Sequence, residues 1–196
     1  MNYAENEQQR QAMAAWLAAR DFTVFGTLKS TDGTALHDAA GERLVRQFFC
    51  ALDRTYYGNA VTNVGMRHNR IVFKHMGTSQ ANLHYHFLAK PHSDAALFAE
   101  LAKKQWAKMS AWTMGVDDTM IGLVRNNRAA STYVLHEYGK LGADSICLSA
   151  SSFSSPACSP MQYRRLPQLR RLLKLQSYGT DEMIYGAEDD DAQCRT

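Results

Sequence analysis

The sequence predicts an α+β domain: a five-stranded antiparallel sheet with helices packed on one face, in a split β-α-β order and preceded by a helix. Three observations predict it. Short β-branched and aromatic runs alternate with longer stretches of helical periodicity, in the order strand, helix, hairpin, helix, strand, helix, strand. The chain has 196 residues, which suits one domain with a proper core and is too short for two large ones. Hydrophobic residues make up 45% of it, which excludes a disordered chain.

The elements follow in order. Residues 1–20 are rich in Ala, Gln and Glu, with Met13, Trp16 and Leu17 at helical spacing, and form an N-terminal helix. Phe22-Thr23-Val24-Phe25-Gly26-Thr27-Leu28 is β-branched and aromatic, hence a strand, and Thr31-Asp32-Gly33 is turn chemistry. Across residues 39–57, Leu44, Val45, Phe48, Phe49 and Leu52 fall on one stripe of a longer helix. Residues 69–75 and 83–89 are strands joined through Gly77-Thr78-Ser79-Gln80, and Pro91 ends the pair. Ser93 or Asp94 caps a helix over 95–109, with Leu97, Phe98, Leu101 and Trp106 on its apolar side. Residues 120–124 are a short strand. Residues 128–140 are a helix bounded by Gly139 and Gly142, and residues 145–150 are the fifth strand. The sheet domain therefore spans 21–150. Residues 151–178 read as a Ser-rich linker and a basic helical segment with Pro167 in its first turn. Residues 179–196, with Asp189, Asp190 and Asp191, read as an acidic disordered tail.

Composition narrows the function classes. The formal net charge is +3, only weak support for an anionic partner, but Arg164, Arg165, Arg170, Arg171 and Lys174 cluster in one segment. That segment reads either as a phosphate-contacting arm or as a helix packing Leu166, Leu169, Leu172 and Leu173 on the body. Cys50, Cys147, Cys158 and Cys194 contain no Cys-x-x-Cys pair, which argues against a zinc ribbon or a thioredoxin-type redox pair. They read as free thiols, with Cys50 and Cys147 buried. No apolar run approaches the roughly 18–20 residues of a membrane span. The polar N-terminus lacks the apolar core of a secretory signal, so the expected location is the cytoplasm.

The most informative segment is Asn82-Leu83-His84-Tyr85-His86-Phe87-Leu88. On a strand, His84 and His86 point to one face, with imidazoles about 6–7 Å apart along it, close enough to converge on one divalent cation. About fifty residues on, Tyr133, His136, Glu137 and Lys140 stand at i, i+3, i+4 and i+7, one face of a helix. Tyr138 points elsewhere, roughly 140° around the axis. A phenol is a poor nucleophile at its ordinary pKa of about 10, and a nearby cation such as Lys140 favours phenolate character. Lys140 reads equally as a C-terminal helix cation meeting the dipole, and Glu137 as a solvated side chain or ion-pair partner.

Three stretches resemble the HUH endonuclease superfamily, whose members include rolling-circle replication initiators, plasmid relaxases and single-strand transposases. Residues 22–28 look like its first-strand motif. Leu83-His84-Tyr85-His86-Phe87 matches its histidine-hydrophobic-histidine motif, and Tyr133-Val134-Leu135-His136-Glu137-Tyr138-Gly139-Lys140 looks like the tyrosine motif of phage-type initiators. The resemblance covers residues 22 to about 150 and implies an HUH/RRM-like sheet. It implies that His84 and His86 hold Mg²⁺ or Mn²⁺ on a scissile phosphate. Tyr133 would attack that phosphate, leaving a 5′-phosphotyrosyl link and a 3′-hydroxyl that primes replication of a phage or plasmid, with Lys140 assisting.

Two departures stand out. His136 occupies the position of the motif's first lysine. The family's third ligand is expected on the strand before the histidine pair; residues 69–75 contain no Asp or Glu, and His75 is the nearest substitute. The implied partners are single-stranded DNA or an origin hairpin, with a host helicase and polymerase in the bacterial cytoplasm and no membrane. The sequence has no Gly-x-x-x-x-Gly-Lys-[Ser/Thr] loop, so unwinding would come from another protein. The rival expectations are a relaxase or single-strand transposase with the same chemistry, and a non-catalytic nucleic-acid-binding domain of the same fold. Tyr138 is the rival nucleophile.

Overall fold

Among the described residues four strands carry the fold, and their pleat decides which side chains can meet. The computed structural model describes residues 3–29, 38–77, 82–92, 94–110 and 120–153. In chain order these form α1 (Tyr3–Ala18), β1 (Val24–Lys29), α2 (Asp38–Tyr57), α3 (Ala60–Val64), β2 (Asn69–His75), β3 (His84–Lys90), α4 (Ala95–Ser110), β4 (Met120–Leu123), α5 (Asn127–Val134) and α6 (Tyr138–Leu141). A 3-10 turn over Gly142–Ser145 follows. The strands form an open antiparallel sheet in the order β2-β3-β1-β4.

The sheet buries both faces. On one side Val24 and Leu28 of β1, Val72 of β2 and Tyr85, Phe87 and Ala89 of β3 pack under α2 and α4. The helical stripe read from the sequence supplies Val45, Phe48, Phe49 and Leu52, and Leu97, Phe98, Leu101 and Trp106 meet them from α4. Asp94 caps α4: its carboxylate accepts from the backbone N–H of Ala96 (3.0 Å) and Leu97 (3.1 Å). On the other side Ile71, Phe73 and Leu88 pack against Leu17 of α1 and against Val134, Leu135 and Tyr138. Helices thus cover both faces, not one. The reason is the alternation itself, since every second residue of β2 and β3 on the second face is also apolar until the strands reach their histidine end.

The expected fifth strand does not form. Ile146 and Ser152 make isolated bridges to Phe73 and Arg70 at the outer edge of β2, and the residues between them turn away. Serine chemistry explains it. Ser151 Oγ donates to Cys147 O at 2.8 Å and accepts from Val72 N–H at 3.0 Å, so a hydroxyl takes the ladder position that a backbone carbonyl would hold. The segment still covers the β2 edge against strand addition.

A buried ion pair fastens this edge to α2. Arg70 donates to Asp53 Oδ2 (2.8 Å) and to Ala150 O (2.8 Å), and His68 Nδ1–H donates to Asp53 Oδ1 (2.7 Å). Burial alone would raise the pKa of Asp53, but Arg70 and His68 outweigh it and hold the carboxyl below its ordinary value. Burial pushes His68 down, so the pair is a carboxylate held by a guanidinium and a neutral imidazole.

Of the cysteines, Cys147 is a buried free thiol as expected, but Cys50 is only partly buried and is disulfide-bonded. Sequence spacing carries no information on which thiols approach in space. The turn at 31–33, the arginines at 164, 165, 170 and 171, and the acidic tail lie outside the described residues. Among the described residues, no helix is long and apolar enough to cross a membrane.

Gly26 lies opposite Phe87 in the β1–β3 register, and a Cβ there would overlap the Phe87 ring. That ring is itself wedged edge-on against Phe49, with centroids 5.2 Å apart. Gly26→Ala is therefore expected to destabilise the fold by about 1–3 kcal/mol, read as a lowered urea midpoint at unchanged m-value.

Candidate metal centre

The pleat and register bring three histidines together. His75 ends β2 and pairs with His84 at the start of β3, while His86 pairs with Phe73 on one side and Thr27 on the other. All three side chains share one face. The His75 and His86 rings are 4.5 Å apart, His84 and His86 4.9 Å, and His75 and His84 5.5 Å, centroid to centroid.

A fourth imidazole comes from the segment expected to be one helix over 128–140. That helix breaks. α5 starts on Asn126, whose side chain accepts from Ala129 N–H at 3.0 Å, and it stops at Val134. His75 Nε2–H donates to the Val134 carbonyl at 2.8 Å, taking the acceptor that Tyr138 N–H would use in an uninterrupted helix. Tyr138 N–H instead bonds Leu135 O at 3.0 Å, and His136 N–H bonds Tyr133 O at 3.1 Å, tightening the turn. Glu137 swings inward and accepts from Met76 N–H (2.8 Å) and Gly77 N–H (2.9 Å). It is 3% exposed, which corrects the solvated half of the expectation, while its carboxylate lies 3.8 Å from His136 Nε2, as an ion-pair partner would. The break also undoes the single helical face assigned to Tyr133, His136, Glu137 and Lys140. Lys140 lies exposed on α6, out of helical register with Tyr133.

The break leaves His136 beside the strands, its ring 4.3 Å from His75. One ligand atom each from His75, His86 and His136 lie within 4.8 Å of one another, a group that could hold a metal ion. Each ring is pinned by its other nitrogen. His75 Nε2 donates to Val134 O, His136 Nδ1 to Tyr133 O (2.8 Å), and His86 Nδ1 pairs with Thr27 Oγ1 (2.9 Å). A carbonyl partner requires an N–H, so the opposite nitrogen of His75 and His136 carries the lone pair when the ring is neutral. Outer hydrogen bonds of this kind orient the imidazole ligands of metal sites. The fit is supported by His75 Nδ1 and His86 Nε2, which are buried with no hydrogen-bond partner. Such orphaned nitrogens cost about 1–3 kcal/mol each unless something fills the gap. His84 is placed one step out. Its Nδ1 donates to Asn82 O at 2.8 Å, and it stands outside the tight triplet though beside His86.

Protonation fits the same use. Burial pushes His75 down to about 4, and burial with the neighbouring histidines pushes His86 down to about 2. Both are neutral near pH 7, the form that binds metals. Burial would raise the Glu137 carboxyl, yet its two backbone N–H bonds and the nearby His75 and His136 outweigh that and lower it.

Tyr133 stands over the cluster. It is 53% exposed, with its ring 5.0 Å from His86, 5.3 Å from His136 and edge-on to Phe25 at 5.7 Å. Tyr138, the rival, is buried in the second core. The sequence placed His136 at the motif's lysine position with its role open and Glu137 on the same polar stripe, but it did not find His136 as a ligand, Glu137 as a buried brace, or Thr27 as the partner of His86. The unusual polarity of residues 136–137 in an otherwise half-apolar helix was the one signal for the first two, and Thr27 had none. No family model, curated protein or solved structure matches the chain.

The pKa shifts give a pH signature. Both imidazoles have folded values below the ordinary 6.5, so their contribution is intact above about pH 6.5 and is lost as pH falls toward 4, where the unfolded chain binds protons that the folded chain refuses. The metal-free protein should therefore melt at progressively lower temperature from pH 6.5 to 4.5. The slope should be shallower in a His75→Gln, His86→Gln double variant, measured by circular dichroism.

Proposed function

We propose that this chain nicks and rejoins single-stranded DNA, with Tyr133 as nucleophile and a divalent ion held by His75, His86 and His136, as an initiator of rolling-circle replication of a phage or plasmid would. The observation that carries the reading is an exposed phenol beside a histidine cluster in which the buried His75 and His86 rings are neutral and each leave one nitrogen unpartnered. A core tyrosine would be buried, and a decorative surface tyrosine has no reason to overlie nitrogens that lack partners. The strand order β2-β3-β1-β4, with a helix crossing between β1 and β2 and another between β3 and β4, supports assigning the sheet to the HUH/RRM-like arrangement.

When bound, the ion would supply positive charge to a phosphate oxygen and so make the phosphorus more electrophilic. Its donor set is all imidazole, which suits a first-row transition ion better than Mg²⁺, with Mn²⁺ at the weak end of that series. His84, whose ring lies 4.9 Å from His86 with Nδ1 bonded to Asn82 O, would stand as an additional donor. The Tyr133 oxygen attacks phosphorus, and the bond from phosphorus to the 3′ oxygen breaks. The phenol proton is released to solvent, and the departing 3′ oxygen takes one up. The products are a 5′-phosphotyrosyl link and a free 3′-hydroxyl, and the reverse attack by a 3′-hydroxyl rejoins the strand. Phe25 holds the Tyr133 ring edge-on, which limits its motion. Unwinding and synthesis would fall to a host helicase and polymerase.

Incubation with labelled single-stranded oligonucleotides bearing phage or plasmid origin hairpins and Mn²⁺ should give a denaturation-resistant protein–DNA adduct. Tyr133→Phe is expected to abolish it and Tyr138→Phe to leave it. His86→Ala should lower it by about 10²-fold or more at limiting Mn²⁺. An adduct that survives Tyr133→Phe, or none on any such origin, contradicts the reading.

A further inference from the structure

Tyr133 does not face open solvent alone; it forms one end of a groove between α1 and α5. The depression there is wide and open to solvent, about 570 Å³, and is lined by Arg10 from α1, by Asn126, Arg128 and Thr132 at and along α5, and by Tyr133 and His136. We infer that this groove carries the DNA backbone flanking the scissile phosphate, with Arg10 and Arg128 as its phosphate contacts. The inference rests on the strand-transfer reading, because Tyr133 is what gives the groove a reacting end.

Charge and preorganisation carry it. The groove lining contains two guanidinium groups and no carboxylate. Arg128 is exposed and makes no ion pair among the described residues. Arg10 is held by Glu7, which accepts from its Nε at 2.8 Å and from Nη2 at 2.7 Å. That bidentate grip fixes the plane of the guanidinium one helical turn from its brace. Planar forks of this kind match phosphate oxygens and ignore base identity. The Thr132 hydroxyl is spent on Arg128 O at 2.9 Å, so it shapes the wall rather than reading a base. The groove is thus built to hold a backbone in place and to leave sequence choice to other contacts.

Binding is measured by fluorescence anisotropy with a labelled thymidine oligonucleotide of about 20 residues, in EDTA so that no strand transfer occurs, across a series of NaCl concentrations. Arg10→Gln and Arg128→Gln are each expected to weaken binding about fivefold at 0.1 M NaCl and to reduce the salt slope by about 0.7, and the double variant by about 1.4. Lys103→Gln, on α4 across the sheet and paired with Glu100 at 2.7 Å, should leave the slope unchanged. A wild-type slope in the double variant overturns the inference, as does an equal loss in Lys103→Gln. Arginine-dependent binding without any tyrosyl adduct on origin DNA would sink the strand-transfer reading and keep the groove. An adduct with arginine-independent binding would do the reverse.

Discussion

The bond from His75 Nε2–H to the Val134 carbonyl organises this half of the molecule. It joins the last residue of β2 to the last residue of α5 and removes the acceptor that would continue the helix. Everything near the cluster follows from that interruption. His136 drops beside the strand histidines, Glu137 turns inward to bind the backbone after β2, and Tyr138 enters the core. Tyr133, on the last turn before the break, is left exposed above the rings. A continuous helix would have carried His136 and Glu137 out along its own axis.

The two faces of the sheet handle buried polarity in opposite ways. Under α2, Asp53 is buried as a carboxylate, and Arg70 and His68 meet its charge. Removing one member of such a pair leaves an uncompensated charge, so this network is a fastening, in which one ring nitrogen, His68 Nε2, is also buried without a partner. On the histidine side burial acts on neutral rings, and two ring nitrogens have nothing to bond. Folding has concentrated imidazoles where each is held by one nitrogen and offers the other. That arrangement costs stability in a chain without a ligand, and stability given up locally is common where a site must be ready for a partner. The α1–α5 groove extends the same logic outward: Glu7 braces Arg10 much as the carbonyls brace the imidazoles.

Most of the fold was legible in the sequence because its elements have strong periodicity. The strand over 69–75, the helix stripe of Val45, Phe48, Phe49 and Leu52, and the cap at Asp94 stand where alternation and capping chemistry put them. His84 and His86 share a face for the same reason, and His75 faces them through strand register. What escaped the sequence depended on contacts distant along the chain. The helix break is made by a residue 59 positions away, and the lost fifth strand by a serine hydroxyl competing for a ladder bond. The second helical layer escaped because strands 69–75 and 84–90 were read for one apolar face when they have two. Propensity within a window holds none of this information.

The account turns on one claim: the imidazoles of His75, His86 and His136 share a divalent ion under Tyr133. Anomalous diffraction from crystals of the protein soaked in Mn²⁺ tests it directly. The strongest peak is expected among those three rings, within direct coordination distance of the nitrogens that their hydrogen bonds leave open. A peak elsewhere, or an empty cluster with its rings turned to new hydrogen-bond partners, would contradict it.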